Sequence, residues 1–285
     1  MKSAIVLLYY NKPSLTVRCL DSILASNPAS LCFAFDNGSE KKVHEEIRQR
    51  YPAVNHVRLE ANSGYSGGFN RALERVFSEG YDSAFFLTND TLVLPGALEN
   101  CIRLSEQDRL QIIAPCIYYL SSPQEIDSVA GYFDRERLTL HHYREHGLPV
   151  LLDPQKDYVP GTGLWLTGES FRALKGMDES YHTYWEDADF SFRGHKLGIR
   201  IGRCYEAGIR HEVGRTCHKK PLYTTYYFQR NRSLFCRSHL SPEELGKARE
   251  IMRREMERLK EKASNRNDDL RLNYLRKIES SGEML

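Results

Sequence analysis

Short apolar runs alternate with helix-patterned stretches from Ala4 to Leu87, and this alternation restricts the chain to a mostly parallel α/β sheet. Ala4 to Tyr9 reads as a buried strand, and Ser14 can cap a helix through Leu15, Leu20, Ile23 and Leu24. Leu31–Phe35 reads as a second strand, Glu40–Tyr51 as a charged helix and Val54–Leu59 as a third strand. Gly67–Glu79 is expected to be helical and Ser83–Leu87 to be a fourth strand. In such sheets ligands sit in the crevice beyond the carboxyl ends of the strands. The clusters Asp36-Asn37, Asn62-Ser63-Gly64 and Asn89-Asp90 each follow a strand, so all three are expected to line one crevice.

The pattern weakens between Ile112 and Val159, where strands and loops are expected rather than long helices. Gly168–Leu174 and Asp187–Leu197 read as helices, followed by a short strand at Arg200–Gly202. The tail changes character at Ser241: Ser caps, Pro242 takes the first turn, and Glu244 completes a capping box. Leu245, Ala248, Met252, Met256 and Leu259 then form one apolar stripe at helical spacing. Packing on its own domain, a homodimer contact and a membrane contact are the three readings of that stripe.

Composition narrows the function. The chain has 285 residues, 41% hydrophobic and 27% charged, which suits one large domain or two closely fused ones. A formal net charge of +2 lacks the basic excess of a nucleic-acid binder. The seven cysteines are scattered and form no C-x-x-C pair, which argues against a disulfide framework or zinc knuckle and fits a reducing, cytoplasmic compartment. The apolar run at the N-terminus is too short for a signal segment, and no stretch approaches the roughly 20 apolar residues that span a bilayer. A soluble protein, at most peripheral on a membrane, is the expectation.

Five constellations carry chemistry. Asp36-Asn37-Gly38-Ser39 places a carboxylate at a strand end, where it can accept from a ribose hydroxyl or a base N–H, although the same letters make an ordinary turn. Asn62 to Asn70, with Gly64, Gly67 and Gly68, leads into a helix whose glycines and N-terminal amides suit a diphosphate, yet it is neither a dinucleotide fingerprint nor a P-loop. Thr88-Asn89-Asp90 sets an acidic residue past a buried strand, placed to hold a divalent cation. Between Asp178 and Asp189 the carboxylates Glu179, Glu186 and Asp187 are interleaved with aromatics. Aromatic walls desolvate a carboxylate and raise its pKa, which suits a general base. Arg193 reads as a salt-bridge partner for one of these acids. The fifth constellation is His211 within Arg210-His211-Glu212, a single histidine that is either structural or a metal ligand.

Taken together and in order, these segments resemble glycosyltransferase family 2, most closely its bacterial rhamnosyltransferase-type branch. The resemblance rests on Tyr10-Asn11, Asp36 to Ser39, Asn62 to Asn70, Asn89-Asp90, Gly176 to Glu179, Glu186 to Asp189, Arg193 with Gly198, and His211, across about residues 3 to 235. It implies a GT-A fold over residues 1–240 around one continuous mixed sheet. A nucleotide-sugar half would occupy about 1–110 and an acceptor half about 111–240, with a helical extension at 241–285. It implies inversion by direct displacement, with Mg²⁺ or Mn²⁺ as cofactor.

By the same resemblance Asp187 would be the catalytic base, and Asp90 and His211 would hold the metal. Tyr10, Asn11, Asp36, Asn37, Asn62, Gly64, Gly67, Gly68, Asn70 and Asn89 would form the donor side. Trp165, Trp185, Glu186 and Asp189 would form the acceptor side. Two departures from the family pattern stand out: Thr88-Asn89-Asp90 offers one carboxylate where many relatives have two, and Ser39-Glu40-Lys41 lacks the usual Asp.

The stretch Arg193–Arg237 is basic, with Tyr223, Tyr226, Tyr227 and Phe228 among its cations. Arg215 and Arg230 are candidates for a diphosphate or a lipid headgroup, and a solvated face is the alternative. The expected donor is dTDP-rhamnose, with UDP-linked sugars open, and the acceptor a saccharide or a polyprenyl-diphosphate-linked saccharide at the inner face of the membrane. A nucleotidylyltransferase would need a Gly-rich basic loop where Asn11-Lys12-Pro13-Ser14 stands. The remaining alternative is a non-catalytic nucleotide-sugar-binding relative or partner subunit.

Overall fold

The computed structural model describes residues 1–212, 221–266 and 268–280. The first part runs β1 (Ser3–Tyr9), α1 (Pro13–Leu24), β2 (Cys32–Asp36), α2 (Lys41–Arg50), β3 (Asn55–Arg58), α3 (Gly64–Ser78), β4 (Ser83–Thr88), β5 (Thr91–Val93) and α4 (Ala97–Asp108). Next come β6 (Ile112–Tyr119), β7 (Ile126–Ser128), β8 (Ala130–Asp134), β9 (Thr139–Tyr143), β10 (Asp157–Tyr158) and β11 (Gly163–Thr167). The chain closes with α5 (Gly168–Leu174), α6 (Glu186–Lys196), β12 (Ile201–His211), α7 (Pro221–His239), α8 (Pro242–Ser264) and α9 (Asp269–Ser280).

The main sheet has the order β3-β2-β1-β4-β11-β6-β12-β5, with β7 beside β6; β8, β9 and β10 form a smaller sheet. Strands β3, β2, β1 and β4 are parallel, and β11 reverses direction against β4. The sheet is buried on both faces, as parallel strands require. Ile5, Leu7 and Tyr9 of β1 enter one apolar layer with Leu20 of α1, Ile47 of α2 and Cys101 of α4. The alternate residues Ala4, Val6 and Leu8 enter the other, with Phe69 of α3, Phe171 of α5 and Phe190 of α6.

Three expectations are corrected. Ser14 does not cap α1: the chain enters through Asn11 and Lys12 in left-handed backbone, and Pro13, whose φ is pre-set for a helix, takes the first turn. Helix α3 starts at Gly64 rather than Gly67, because Gly64 adopts φ +77° and the His182 carbonyl accepts the Tyr65 amide at 2.7 Å. The strand expected at Arg200–Gly202 continues to His211, since its charged positions find partners within the fold: Arg203 is 3% exposed and pairs with Asp157 at 3.2 Å. Of the three readings of the α8 stripe, packing on its own domain is the one seen. Ala248 and Met252 pack with Phe133, Trp185 and Phe235, and Met256 packs with Leu275 and Ile278 of α9. The capping box at Ser241 and Glu244 forms as read.

Among the described residues, six cysteines are buried and free, and no helix is long and apolar enough to cross a membrane. Cys217 lies outside the described residues.

Candidate functional site

In the order β3-β2-β1-β4 the chain turns one way from β1 and then returns to its other side, which opens a crevice at the carboxyl ends of β1 and β4. Two expected clusters meet there from neighbouring strands. Asn11 and the loop after β2 are tied together: the Asn11 amide donates to Ser39 Oγ at 2.7 Å, and its side-chain oxygen accepts from the Glu40 amide at 3.0 Å. Tyr10, 47% exposed, stands at the same edge. Asp36 is fully buried, paired with Arg58 and with His44 at 3.3 Å, and accepts from the Ser39 amide at 2.8 Å.

The glycine-rich segment is tied into the fold through its own backbone. The first amides of α3 are already taken: Ser63 donates to Asn37 Oδ1 at 3.1 Å, Gly64 to Asn62 Oδ1 at 2.8 Å, and Tyr65 and Ser66 to the His182 carbonyl. The close approach that the glycines permit is to protein. A Cβ on Gly64 would lie 2.3 Å from the His182 ring, and one on Gly68 2.9 Å from both Asn37 and Leu8. A Cβ on Gly67 would meet Ser63 at 2.8 Å. Asn70 exchanges two hydrogen bonds with the Met177 backbone, at 2.9 and 2.8 Å, and so ties α3 to the Gly176–Glu179 turn. Asn37 donates to the Gly64 carbonyl at 2.8 Å. Asn89 turns away to Thr16, at 3.0 Å.

Asp90 and His211 do converge, because β5 pairs with β12 so that His211 faces Thr91. Asp90 Oδ2 lies 3.7 Å from His211 Nε2, and Thr88 Oγ1 donates to Asp90 Oδ1 at 2.7 Å. Behind the imidazole, Nδ1 meets Asp127 Oδ2 at 3.3 Å. Burial works against a charged ring, but the hydrogen bonds and charges of Asp127 and Asp90 outweigh it and push His211 up to about 9. Asp127 is held below the usual carboxylate range: burial opposes this, and the hydrogen bonds from His211 and Tyr119 win. The Asp90–His211 gap lies within two metal–ligand bonds of roughly 2 Å each. One carboxylate and one imidazole, with the remaining positions left for phosphate oxygens and water, suit Mg²⁺ or Mn²⁺. Among the described residues, no group of three or more His, Cys, Asp or Glu side chains is arranged to hold a cation by itself.

Asp187 stands across from this pair at the start of α6. It accepts from the Gly161 amide at 2.9 Å and the Ala188 amide at 2.8 Å. Burial nevertheless raises its pKa, with those amides opposing. Glu186 beside it is 6% exposed, and its Oε2 has no hydrogen-bond partner. Burial first, then the Asp187 charge, drives the pKa of its carboxyl well above the usual range. Tyr65 links the two sides. Its hydroxyl donates to the Gly161 carbonyl, and its pKa is raised by burial and then by the fields of Glu186, Asp187 and Asp90. The same Gly161 backbone thus holds the half-buried Tyr65 hydroxyl through its carbonyl and Asp187 through its amide.

The remaining acceptor-side candidates lie inside the fold. Trp165 is 0% and Trp185 1% exposed, both in apolar clusters, so neither presents a ring to a ligand. Asp189 binds Arg193 at 2.7 Å and His239 at 2.8 Å, which fastens α7 to α6. Arg193 therefore fills the salt-bridge role expected of it. Arg230 donates to the Ser180 carbonyl, and Arg215 lies outside the described residues.

The family model described as glycosyl transferase family 2 matches residues 4–150, just over half of the chain. The chain belongs to glycosyl transferase family 2. Among curated relatives, this family 2 member is 24% identical over 221 residues to the low-salt glycan biosynthesis hexosyltransferase Agl10 of Haloferax volcanii, covering 72% of this chain and 67% of that one. It is 24% identical over 208 residues to the N-acetylglucosaminyl-diphospho-decaprenol L-rhamnosyltransferase of Mycobacterium tuberculosis, over 64% of each chain. Its fold matches GalNAc-T7, solved with UDP, GalNAc and Mn²⁺, at TM-score 0.61 and 15% identity, covering 84% of this chain and 54% of that one. It also matches the mannosyltransferase PcManGT from Pyrobaculum calidifontis, solved with GDP-Man and Mn²⁺, at TM-score 0.60 and 12% identity, over 98% of this chain and 74% of that one. The architecture is GT-A, with one large mixed sheet and C-terminal helices.

Sequence reasoning missed Asp127, Tyr65, Arg58 and His182 in this family 2 site. Asp127 lies in a weakly patterned stretch, Arg58 at the end of a short strand, and His182 among the acidic motif's aromatics. No local signal marks any of them, because each acquires its role from a partner distant in sequence.

Proposed function

We propose that the protein is an inverting, metal-dependent glycosyltransferase that moves a sugar from a nucleoside diphosphate onto a hydroxyl of a saccharide or lipid-linked saccharide. The observation that carries this reading is that Asp187 and Thr88 both bind the Gly161–Thr162 backbone, and Thr88 also holds Asp90 of the Asp90–His211 pair. Asp187 takes the proton of the acceptor hydroxyl, and the acceptor oxygen attacks the anomeric carbon from the face opposite the diphosphate. The C–O bond to the diphosphate breaks, its electron pair stays on the phosphate oxygen, and the anomeric centre inverts. Asp90 and His211 would hold Mg²⁺ or Mn²⁺, which would stabilise the departing diphosphate as a Lewis acid. By the family resemblance, Asp36, with Arg58 and His44 around it, would contact the base or ribose of the donor.

Rhamnose on dTDP is the favoured donor and a polyprenyl-diphosphate-linked saccharide the favoured acceptor. Both rest on the early sequence resemblance and on the mycobacterial relative's name. An acceptor of that kind would bring the enzyme to the cytoplasmic face of a membrane.

The test is thermal shift with dTDP, UDP and GDP, with and without Mn²⁺, followed by turnover with the matching nucleotide sugars. A bound ligand raises the midpoint by mass action. A Mn²⁺-dependent shift that is lost in Asp90→Ala, together with sugar transfer by the wild type, is the expected result. Nucleotide binding without transfer in any donor–acceptor pairing would turn the reading toward a non-catalytic nucleotide-sugar-binding protein.

A further inference from the structure

His182, Tyr184 and Trp185 hold left-handed backbone, with φ of 59°, 68° and 72°. Side chains avoid this region because Cβ crowds the following carbonyl, and three such residues in a run of four persist only where the surroundings over-determine them. The run leads straight into Glu186 and Asp187 at the start of α6.

The restraint comes from α7. Asn231 is 0% exposed, and its Nδ2 donates to the carbonyls of Tyr181 and Thr183 at 2.7 Å and of Tyr184 at 2.8 Å. One amide nitrogen with two hydrogens thus serves two carbonyls of the strained run and the one just before it, so one hydrogen is shared. Arg230 fixes which end of the amide faces the run: its Nη1 donates to Asn231 Oδ1 at 2.9 Å and also to the Ser180 carbonyl. The Asn231 hydrogen bonds end on the backbone of Tyr181, Thr183 and Tyr184, and the chain runs from Tyr184 through Trp185 and Glu186 to Asp187.

We propose that Asn231 is a positioning residue for Asp187, clamping the left-handed run that sets where the carboxylate points. The role rests on reading Asp187 as the acceptor-side base. It differs from ordinary core packing in what its loss disturbs: the angle of the base, with the nucleotide half across the sheet left intact. Asn231→Asp keeps the shape and removes both donors, and Asn231→Ala removes the clamp without burying a charge. Each is compared with Met252→Ala, a cavity in the same apolar cluster but off the clamp, at matched thermal midpoints.

The expected result is Mn²⁺-dependent nucleotide affinity within about twofold of wild type, donor KM little changed and kcat lower by about 100-fold, the scale of a roughly 1 Å misplacement. In a Trp165→Phe background, Trp185 is the sole tryptophan, and its emission should shift to the red in either Asn231 variant. Unchanged Trp185 emission overturns the clamp. So does a kcat loss no larger than that of Met252→Ala, or a nucleotide affinity that falls in step with kcat. A wild type that binds nucleotide yet transfers no sugar sinks the base assignment instead, and the emission readout still decides the clamp on its own.

Discussion

Asp127 Oδ2 lies 3.3 Å from His211 Nδ1, while the opposite ring nitrogen lies 3.7 Å from Asp90 Oδ2. A carboxylate behind a metal-binding imidazole fixes its tautomer and ring orientation and raises its basicity. Asp127→Asn is therefore expected to weaken Mn²⁺-dependent nucleotide binding by about 10- to 100-fold in calorimetry. Nucleotide binding measured without Mn²⁺ should stay as in the wild type. An Asp127→Asn variant with wild-type Mn²⁺ dependence would remove Asp127 from the site.

Asp187→Asn keeps the size of the side chain and removes the proton acceptor. A positioned general base contributes about 10²- to 10⁴-fold to rate, so kcat should fall by that much. Affinity for the nucleotide should hold within about twofold, since the residues proposed for the donor, Asp36 and Asp90 among them, lie on other elements than α6. Steady-state turnover paired with nucleotide titration checks both. Equal loss of the two would mean that Asp187 supports the fold rather than the chemistry.

Glu186 links stability to pH. In the unfolded chain its carboxyl loses its proton in the ordinary range, while in the folded chain burial and the Asp187 charge hold the proton on. Between those two limits the native state binds more protons, so stability falls as pH rises. Below the ordinary carboxylate range both states are protonated and the penalty vanishes. Glu186→Gln should therefore raise the calorimetric midpoint by several degrees at about pH 8 and change it little at about pH 4. The same gain at both pH values would argue against a retained proton.

Gly64 and Gly80 form a matched pair. Both have positive φ, +77° and +78°, but a Cβ on Gly64 would press into His182 while one on Gly80 meets nothing within 4 Å. Gly80→Ala should cost about 1 kcal/mol for the backbone alone, and Gly64→Ala about 1–3 kcal/mol more. Denaturant midpoints at unchanged slope measure the difference. Equal costs would show that His182 yields freely.

Asp189, 3% exposed, holds Arg193 and His239. Burial opposes its ionisation, and the His239 and Arg193 contacts overcome that and hold its pKa below the usual range. Its contribution is present above the ordinary carboxylate pKa and is lost as pH falls through the depressed one. Asp189→Asn should destabilise by about 3 kcal/mol at neutral pH, read from denaturant unfolding, and by less in acid. A near-neutral effect at pH 7 would mean that α7 is held to α6 by apolar packing alone.

Much of the fold was legible from local pattern. Continuous apolar runs such as Ala4–Tyr9 mark strands buried on both faces, and the box Ser241–Glu244 marks the start of α8. Strand β12 was cut short because Arg203, Glu206 and Arg210 break its apolar run, and only Asp157, far away in sequence, neutralises Arg203. Of the candidate site, Asp90 and His211 lie together in space, and the first amides of the glycine-rich turn meet protein acceptors. A glycine-rich turn before a helix looks the same whether its amides face a ligand or a carbonyl such as that of His182.

What the sequence by itself determined is what depends on neighbours along the chain: the strand–helix alternation, the caps, and the order of polar clusters at the strand ends. Helical and extended periodicities write those features into side-chain spacing. What only the tertiary structure decided is which groups meet across long separations. Asp127 came behind His211, the Tyr65 hydroxyl against the Gly161 carbonyl, and Asn231 under the left-handed run before the base. Each of these contacts joins residues whose partners are chosen by sheet order and helix packing, and neither leaves a mark at the positions themselves.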